Sequence, residues 1–183
     1  MIIDYFRFFM KQILLISGSL RAHSINSGLL RSFADAVPVD IEVVWADLRL
    51  PLFNQELEAD FPAAALTLRN QILAADIIVI STPEYNRGMS GVLKNAIDWG
   101  SRPSGENAWQ GKRVLVAAAS PSGIGGALAV YQVKQSLLHL DAQIMGQPEF
   151  MVGSAGDKFT DDGTLTDEKT QSRVTAAVKH LLG

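Results

Sequence analysis

The chain has 183 residues, of which 48% are hydrophobic and 19% are charged. This length suffices for one core that buries roughly 70% of the unfolded surface, so a single domain is expected. A net charge of -3 without a basic cluster argues against nucleic-acid binding, and the absence of cysteine excludes disulfides, thiolate metal ligands and a cysteine nucleophile. Any redox chemistry must therefore come from a bound cofactor, and a cytoplasmic location is expected.

The N-terminal segment MIIDYFRFF is apolar but carries neither a basic start nor a small-residue cleavage site. Asp4, Arg7 and Lys11 interrupt the apolar run before it reaches the roughly 18–20 residues of a membrane span, so no membrane insertion is expected. We divide the chain into an extension, residues 1–9, and one domain, residues 10–183. Either Met10 is the natural start of the protein, or residues 1–9 are an ordinary extension packed on the surface.

Continuous apolar runs that end in loops rich in glycine and serine are typical of strands buried on both faces. Such runs, with two weaker ones, predict strands at residues 12–17, 41–45, 77–81, 113–119 and 142–145. Helical apolar spacing predicts helices at residues 26–36, 62–75, 92–99, 127–140 and 167–182. Because parallel strands need crossover connections, this alternation indicates an α/β domain. We predict a flavodoxin-like fold, with a five-stranded parallel sheet in the order 2-1-3-4-5 and helices on both faces.

The loop after the first predicted strand has the composition of a phosphate site. Ligands of open α/β sheets bind beyond the carboxyl ends of the strands. Gly18 permits a sharp turn there, the hydroxyls of Ser19 and Ser24 can donate to an anion, and Arg21 adds a charged donor fork. The loop contains neither a P-loop nor a dinucleotide fingerprint. The alternative is an ordinary helix cap rich in serine and asparagine.

The loops after the third and fourth strands complete the candidate site. Pro83 and Gly88 indicate an irregular backbone whose amides can meet the polar edge of a planar ligand, and Tyr85 can lie against a ring. For Glu84 the alternative is a loop carboxylate in water, and for Tyr85 a packed aromatic. The third loop, residues 120–126, is dense in glycine, which either a close ligand or a flexible turn explains.

Two of these loops together resemble a known family. The motifs G-S-L-R-x-x-S-x-N at residues 18–26 and P-E-Y-N-x-x-x-x-G-x-L-K-N-A-I-D-W at residues 83–99 are similar to those of the NADPH-dependent FMN reductases. The resemblance extends from about residue 11 to residue 183. It implies that the FMN phosphate is surrounded by Ser19, Arg21, Ser24, Ile25 and Asn26. It implies that the isoalloxazine is lined by Pro83, Glu84, Tyr85, Asn86 and Arg87, with Ser120 and Gly123 beside the ring.

The function that this resemblance implies is an FMN-dependent NAD(P)H oxidoreductase. NADPH or NADH reduces the bound FMN, and a quinone or similar small acceptor then takes the electrons. No side chain is needed as a catalytic nucleophile or base, because the flavin carries the chemistry. The alternative is a flavodoxin-type FMN electron carrier without NAD(P)H oxidation, although a net charge of -3 is small for docking to protein partners. A flavodoxin-like module that has lost its cofactor is a third interpretation.

The resemblance also implies a homodimer or homotetramer with the flavin near a subunit boundary. Leu93 and Ile97, four residues apart on the helix after the third strand, belong either to that interface or to the core of the chain itself. His23 either tunes phosphate affinity or is solvated. His139 and His180 have no second ligand at metal spacing, so no metal site is predicted.

Overall fold

A computed structural model describes residues 11–183. The predicted extension, residues 1–9, and the proposed start at Met10 lie outside the described residues. The first half of the chain forms β1 (Gln12–Ser17), α1 (Ile25–Ala36), β2 (Glu42–Trp45), α2 (Ala63–Ala74), β3 (Ile77–Ser81), β4 (Glu84–Tyr85), β5 (Gly88–Met89) and α3 (Gly91–Gly100). The second half forms β6 (Arg113–Ala119), α4 (Ala127–His139), β7 (Gln143–Ile144), β8 (Phe150–Val152) and α5 (Glu168–Leu182).

The main sheet is parallel, in the order β2-β1-β3-β6-β7, and β8 pairs with β6 beside β7. Counting β7 and β8 as one interrupted edge strand gives the predicted order. The fifth strand differs from the prediction in its extent. Only Gln143–Ile144 of the predicted 142–145 is strand, and pairing resumes at Phe150–Val152 after a segment that contains Pro148. Because proline has no N–H to donate to a ladder, the edge strand is split there.

The three central strands are buried on both faces, which explains their unbroken apolar sequences. In β1, Leu14 and Ile16 face one core cluster, while Ile13 and Leu15 face the other. The alternation follows from the two-residue period of a strand. Helices α2, α3 and α4 cover the first face, and α1 and α5 cover the second. The predicted α/β architecture with helices on both faces is confirmed.

Helix α3 packs its apolar side into the core of the chain itself. Leu93 and Ile97 are almost completely buried against the sheet and α2. The interface interpretation of these two residues is therefore wrong, because neither side chain is accessible to a second subunit. The same helix holds the loop that follows β2, since Asn95 Oδ1 accepts a 2.8 Å hydrogen bond from Phe53 N and Trp99 Nε1 donates to Pro51 O at 2.8 Å.

Candidate functional site

The loops after β1, β3 and β6 meet at the carboxyl edge of the sheet around a cleft of about 350 Å³. Parallel neighbouring strands end at the same edge, so loops that are distant in sequence become adjacent there. The predicted site residues that line this cleft are Ser19, Arg21, Ser24, Ile25, Asn26, Pro83, Glu84, Tyr85 and Ser120. Asn86, Arg87 and Gly123 do not line it. His23, for which tuning of phosphate affinity and simple solvation were the two alternatives, lines the cleft as well and is exposed.

The loop after β1 packs tightly against the loop after β3. Gly18 N donates to Ser81 O at 2.8 Å, and a Cβ at Gly18 would lie only 3.1 Å from the hydroxyls of Thr82 and Ser90. Glycine at this position therefore lets the first loop run alongside the neighbouring strand end. This contact holds Ser19 and Arg21 at the cleft.

Ser24 is the N-cap of α1, as the helix-cap alternative expected. Its Oγ accepts from Asn26 N at 3.2 Å and from Ser27 N at 3.4 Å. Capping uses the oxygen as an acceptor, so its O–H can still donate to a ligand in the cleft. The cap and the binding interpretation are therefore compatible for Ser24.

Asn26 is a buried bridge between three elements. Its Nδ2 donates to Ala119 O at 3.0 Å, and its Oδ1 accepts from Ala119 N and Ser81 Oγ, each at 2.9 Å. The amide thereby joins the start of α1 to the ends of β3 and β6. Its main local effect is to hold the floor of the cleft in place, because three of its hydrogen-bonding positions are already used within the protein.

The loop after β3 contains a small antiparallel hairpin that the sequence did not indicate. β4 and β5 pair Glu84 with Met89 and Tyr85 with Gly88, and the two residues between them, Asn86 and Arg87, have φ values of 51° and 66°. Two successive left-handed residues are typical of the turn that connects two-residue hairpins. Asn86 and Arg87 therefore lie at the tip of the hairpin, whereas Tyr85, 53% exposed, lines the cleft.

Glu84 has a structural role that the water-exposed alternative did not anticipate. Its Oε2 accepts from Leu128 N at 3.0 Å and from Ala129 N at 3.2 Å, at the start of α4. The N-cap residue of α4 is Gly126, which has no side chain to cap the helix. Glu84 supplies that cap from another loop, and its negative charge is favourable at a helix N-terminus. The interpretation of Glu84 as a free loop carboxylate is wrong.

Of the glycines in the loop after β6, Gly125 is explained by close contact with the end of β8. A Cβ at Gly153 would lie 2.2 Å from Gly123 O, and one at Gly125, whose φ is 65°, would lie 2.8 Å from Gly153 N. Close backbone packing therefore requires glycine at residues 125 and 153, independently of any ligand. Ser120 lines the cleft, whereas Gly123 lies outside its lining and is exposed.

A fourth segment, which follows β8, forms the remaining wall of the cleft. It contributes Ala155, Gly156, Phe159, Thr160 and Asp161. This wall was not predicted from the sequence, because the last strand was expected at residues 142–145 whereas the edge strand extends to Val152. The available signal was the turn sequence TDDGT at residues 160–164, which follows the true end of the edge strand.

Electrostatics distinguish the two carboxylates of that turn. The Thr160 hydroxyl and the Thr164 backbone N–H hold the pKa of Asp162 below its ordinary value. Asp161 is exposed, and no donor among residues 11–183 forms a hydrogen bond or an ion pair with it. Across the described part of the chain, no three histidine, aspartate or glutamate side chains are grouped as metal ligands.

The fold and the cleft define a class of protein. The chain is a flavodoxin-like α/β domain, with hydroxyl, guanidinium and helix N-terminal groups at the carboxyl edge of its sheet. Residues 11–157 match the sequence profile of the family described as NADPH-dependent FMN reductase.

Individual relatives agree with this match. A Pseudomonas aeruginosa protein named NAD(P)H-dependent FMN reductase is 42% identical over 165 residues, which are 89% of each chain. A Pseudomonas putida quinone reductase is 41% identical over 84% of this chain and 83% of its own. The structure of FerB from Paracoccus denitrificans, a flavoenzyme NAD(P)H:(acceptor) oxidoreductase, has a TM-score of 0.86 and 36% identity, covering 94% of this chain and 96% of its own.

The chain therefore belongs to the NADPH-dependent FMN reductase family. The family predicted from the two loop motifs, FMN as cofactor and the class of NAD(P)H-dependent flavin reductase are confirmed. None of the helices within residues 11–183 is long and apolar enough to cross a membrane.

Proposed function

We propose that the cleft is the FMN site, and that the chain passes electrons from NADPH or NADH through FMN to a quinone or similar small acceptor. The observation that carries this proposal is the shared cleft, in which Arg21 and the serine-rich loop lie together with Tyr85. The names of relatives such as the quinone reductase of Pseudomonas putida support the choice of acceptor.

The residues at the α1 end of the cleft fit a phosphate. The Arg21 side chain is exposed and forms no ion pair within the described residues. The hydroxyls of Ser19 and Ser24 flank it, and the positive end of the α1 dipole lies behind them. A guanidinium fork, hydroxyl donors and a helix N-terminus together suit a phosphate dianion. We place the phosphate here, surrounded by Ser19, Arg21, Ser24, Ile25 and Asn26.

The β4 end of the cleft fits a planar ring. Tyr85 is half exposed there, Pro83 shapes the backbone, and Glu84 holds the loop against α4 through its helix cap. When bound, FMN supplies the hydride chemistry, and the protein's contribution is orientation and electrostatics. We place the isoalloxazine beside Pro83, Glu84, Tyr85 and Ser120. The roles of Asn86, Arg87 and Gly123 at the ring remain predictions, since these residues lie outside the lining of the cleft.

We also propose a homodimer or homotetramer in the cytoplasm. Leu128, Tyr131 and Leu138 are exposed on one face of α4, and Glu84 of the cleft wall caps the same helix. An apolar helix face of this kind favours association with a second copy. Sedimentation analysis tests the oligomer, and a monomer over the whole micromolar range would contradict it.

The experiment for the function is anaerobic mixing of the FMN-loaded protein with NADPH or NADH. We expect rapid loss of the oxidised flavin absorbance, and its return when a quinone is added. If neither nicotinamide bleaches the flavin, while dithionite does, the protein is a flavodoxin-type carrier and the reductase proposal fails. Protein that takes up no FMN at all would contradict the cofactor site itself.

A further inference from the structure

The turn at residues 160–164 contributes Thr160 and Asp161 to the lining of the cleft. Thr160 N donates to Thr164 O at 2.9 Å, and Thr164 N donates to Thr160 Oγ1 at 3.0 Å. The Thr160 hydroxyl also bonds the Asp162 carboxylate. Because its own side chains and backbone satisfy one another, the turn is a defined wall of the cleft.

The turn is held against α1, the helix that begins at the phosphate loop. Arg31 Nη2 donates to Gly163 O at 3.1 Å. The backbones approach so closely that a Cβ at Gly28 would lie 1.7 Å from Gly163 O. The position of the turn relative to Ser24 and Arg21 is therefore set by direct contact between α1 and residue 163.

Asp161 is the group in this turn that remains free for a ligand. Asp162, its neighbour, is engaged by Thr160 and Thr164. Asp161 lines the cleft and has no hydrogen-bonding partner in the part of the chain that the structure describes. An ionised carboxylate only accepts hydrogen bonds, so its natural ligand partner is a hydroxyl or an N–H group.

The negative charge of Asp161 determines which part of FMN it can bind. A carboxylate repels a phosphate dianion, and Arg21 at the α1 end of the cleft already offers the phosphate a cation. The ribityl chain, which joins phosphate to ring, carries hydroxyl donors. We infer that Asp161 binds FMN by accepting a hydrogen bond from a ribityl hydroxyl. This inference rests on the FMN site proposed above.

Binding measurements with three flavins distinguish a contact with the ribityl chain from a contact with the phosphate or with the ring. FMN has ring, ribityl chain and phosphate; riboflavin lacks the phosphate, and lumiflavin also lacks the ribityl chain. Fluorescence titration of apoprotein with each flavin measures the dissociation constants. Asp161→Ala weakens riboflavin and FMN binding about tenfold or more, because a hydrogen bond to a charged group is lost, and Asp161→Asn weakens both less. Lumiflavin affinity stays unchanged.

The matched control is Asp157→Ala, which removes the same charge from the same segment at a residue outside the cleft lining. We expect Asp157→Ala to leave the affinities for FMN, riboflavin and lumiflavin near those of the unsubstituted chain. Unchanged or tighter binding of both riboflavin and FMN by Asp161→Ala overturns the inference, as does an equal loss for lumiflavin. If the unsubstituted apoprotein binds none of the flavins, the FMN site itself is wrong and the inference falls with it.

Discussion

Arg21 is the residue on which the phosphate assignment depends most directly. Its neighbours Ser19 and Ser24 also take part in the loop's own hydrogen bonds, through Arg21 N and the capped amides of α1. The Arg21 guanidinium has no such partner among residues 11–183. Its free charge on the cleft therefore favours a role in binding.

We expect Arg21→Ala to weaken FMN binding by roughly 10- to 100-fold, which is the size of a lost charge-assisted hydrogen bond. Riboflavin, which lacks the phosphate, should bind the variant as it binds the unsubstituted chain. Isothermal titration of apoprotein measures both affinities. Arg113→Ala, at the opposite end of β6, is the control. An FMN affinity unchanged by Arg21→Ala would contradict the phosphate position.

Asp162 makes the turn at residues 160–164 sensitive to acid. The Thr160 hydroxyl and the Thr164 amide lower the pKa of this carboxyl, so the folded turn favours the ionised form. The ionised Asp162 carboxylate therefore stabilises the folded turn at pH values above the ordinary aspartate pKa. This contribution is lost as the pH falls through the lower pKa that Asp162 has in the folded state.

We therefore expect the Thr164 amide resonance to titrate with a midpoint below the ordinary pKa of aspartate. An NMR pH titration measures this midpoint. In Asp162→Asn the same resonance should show no transition in that range. A midpoint at or above the ordinary value would show that the turn does not hold the carboxylate as described.

At the scale of elements, the contact between α1 and the turn at residues 160–164 shapes the cleft. Gly28 is the fourth residue of α1, and inside a helix alanine is ordinarily more favourable than glycine by about 1 kcal/mol. Here a Cβ would overlap Gly163 O, so the backbones must separate. Steric overlap outweighs helix propensity at this position.

We expect Gly28→Ala to lower the free energy of unfolding by about 1–3 kcal/mol, in the range of overpacked cores, and to weaken FMN binding by displacing the turn. Urea unfolding measures the first effect and flavin titration the second. Gly91→Ala is the matched control, because nothing lies within 4 Å of a Cβ there, at the start of α3. Equal stabilities of the two variants would contradict the close contact.

At the scale of the whole molecule, the cleft joins segments from both halves of the chain. The loops after β1, β3 and β6 and the segment after β8 all contribute to it, and they converge only in the folded sheet. An unfolded chain therefore cannot present this set of groups to FMN. Binding and folding are linked as a result.

FMN at about 100 times its dissociation constant should add about 2.7 kcal/mol to the free energy of unfolding. For a chain of this size, that corresponds to an increase in Tm of roughly 5–10 °C. Differential scanning calorimetry with increasing FMN tests the linkage, with adenosine monophosphate as the control ligand. A Tm that does not respond to FMN would contradict a site formed by the native fold.

The sequence by itself determined the architecture and pointed to the loop after β1 as part of the site. The residues of β1 and β3 are apolar on both faces, and only a sheet covered by helices on both sides buries such runs. The loop after β1 is local, so the spacing of Gly18, Ser19 and Arg21 was sufficient to indicate it. The split edge strand was not predictable in the same way, because β7 and β8 are short and are stabilised by pairing with β6.

Only the tertiary structure decided how the remaining residues are used. The partner of Glu84 is the start of α4, and the partners of Asn26 are the ends of β3 and β6. Asp161 reaches the cleft because residue 163 packs on Gly28. Hydrogen bonds and steric contacts between distant segments depend on positions in space, which local sequence patterns do not encode.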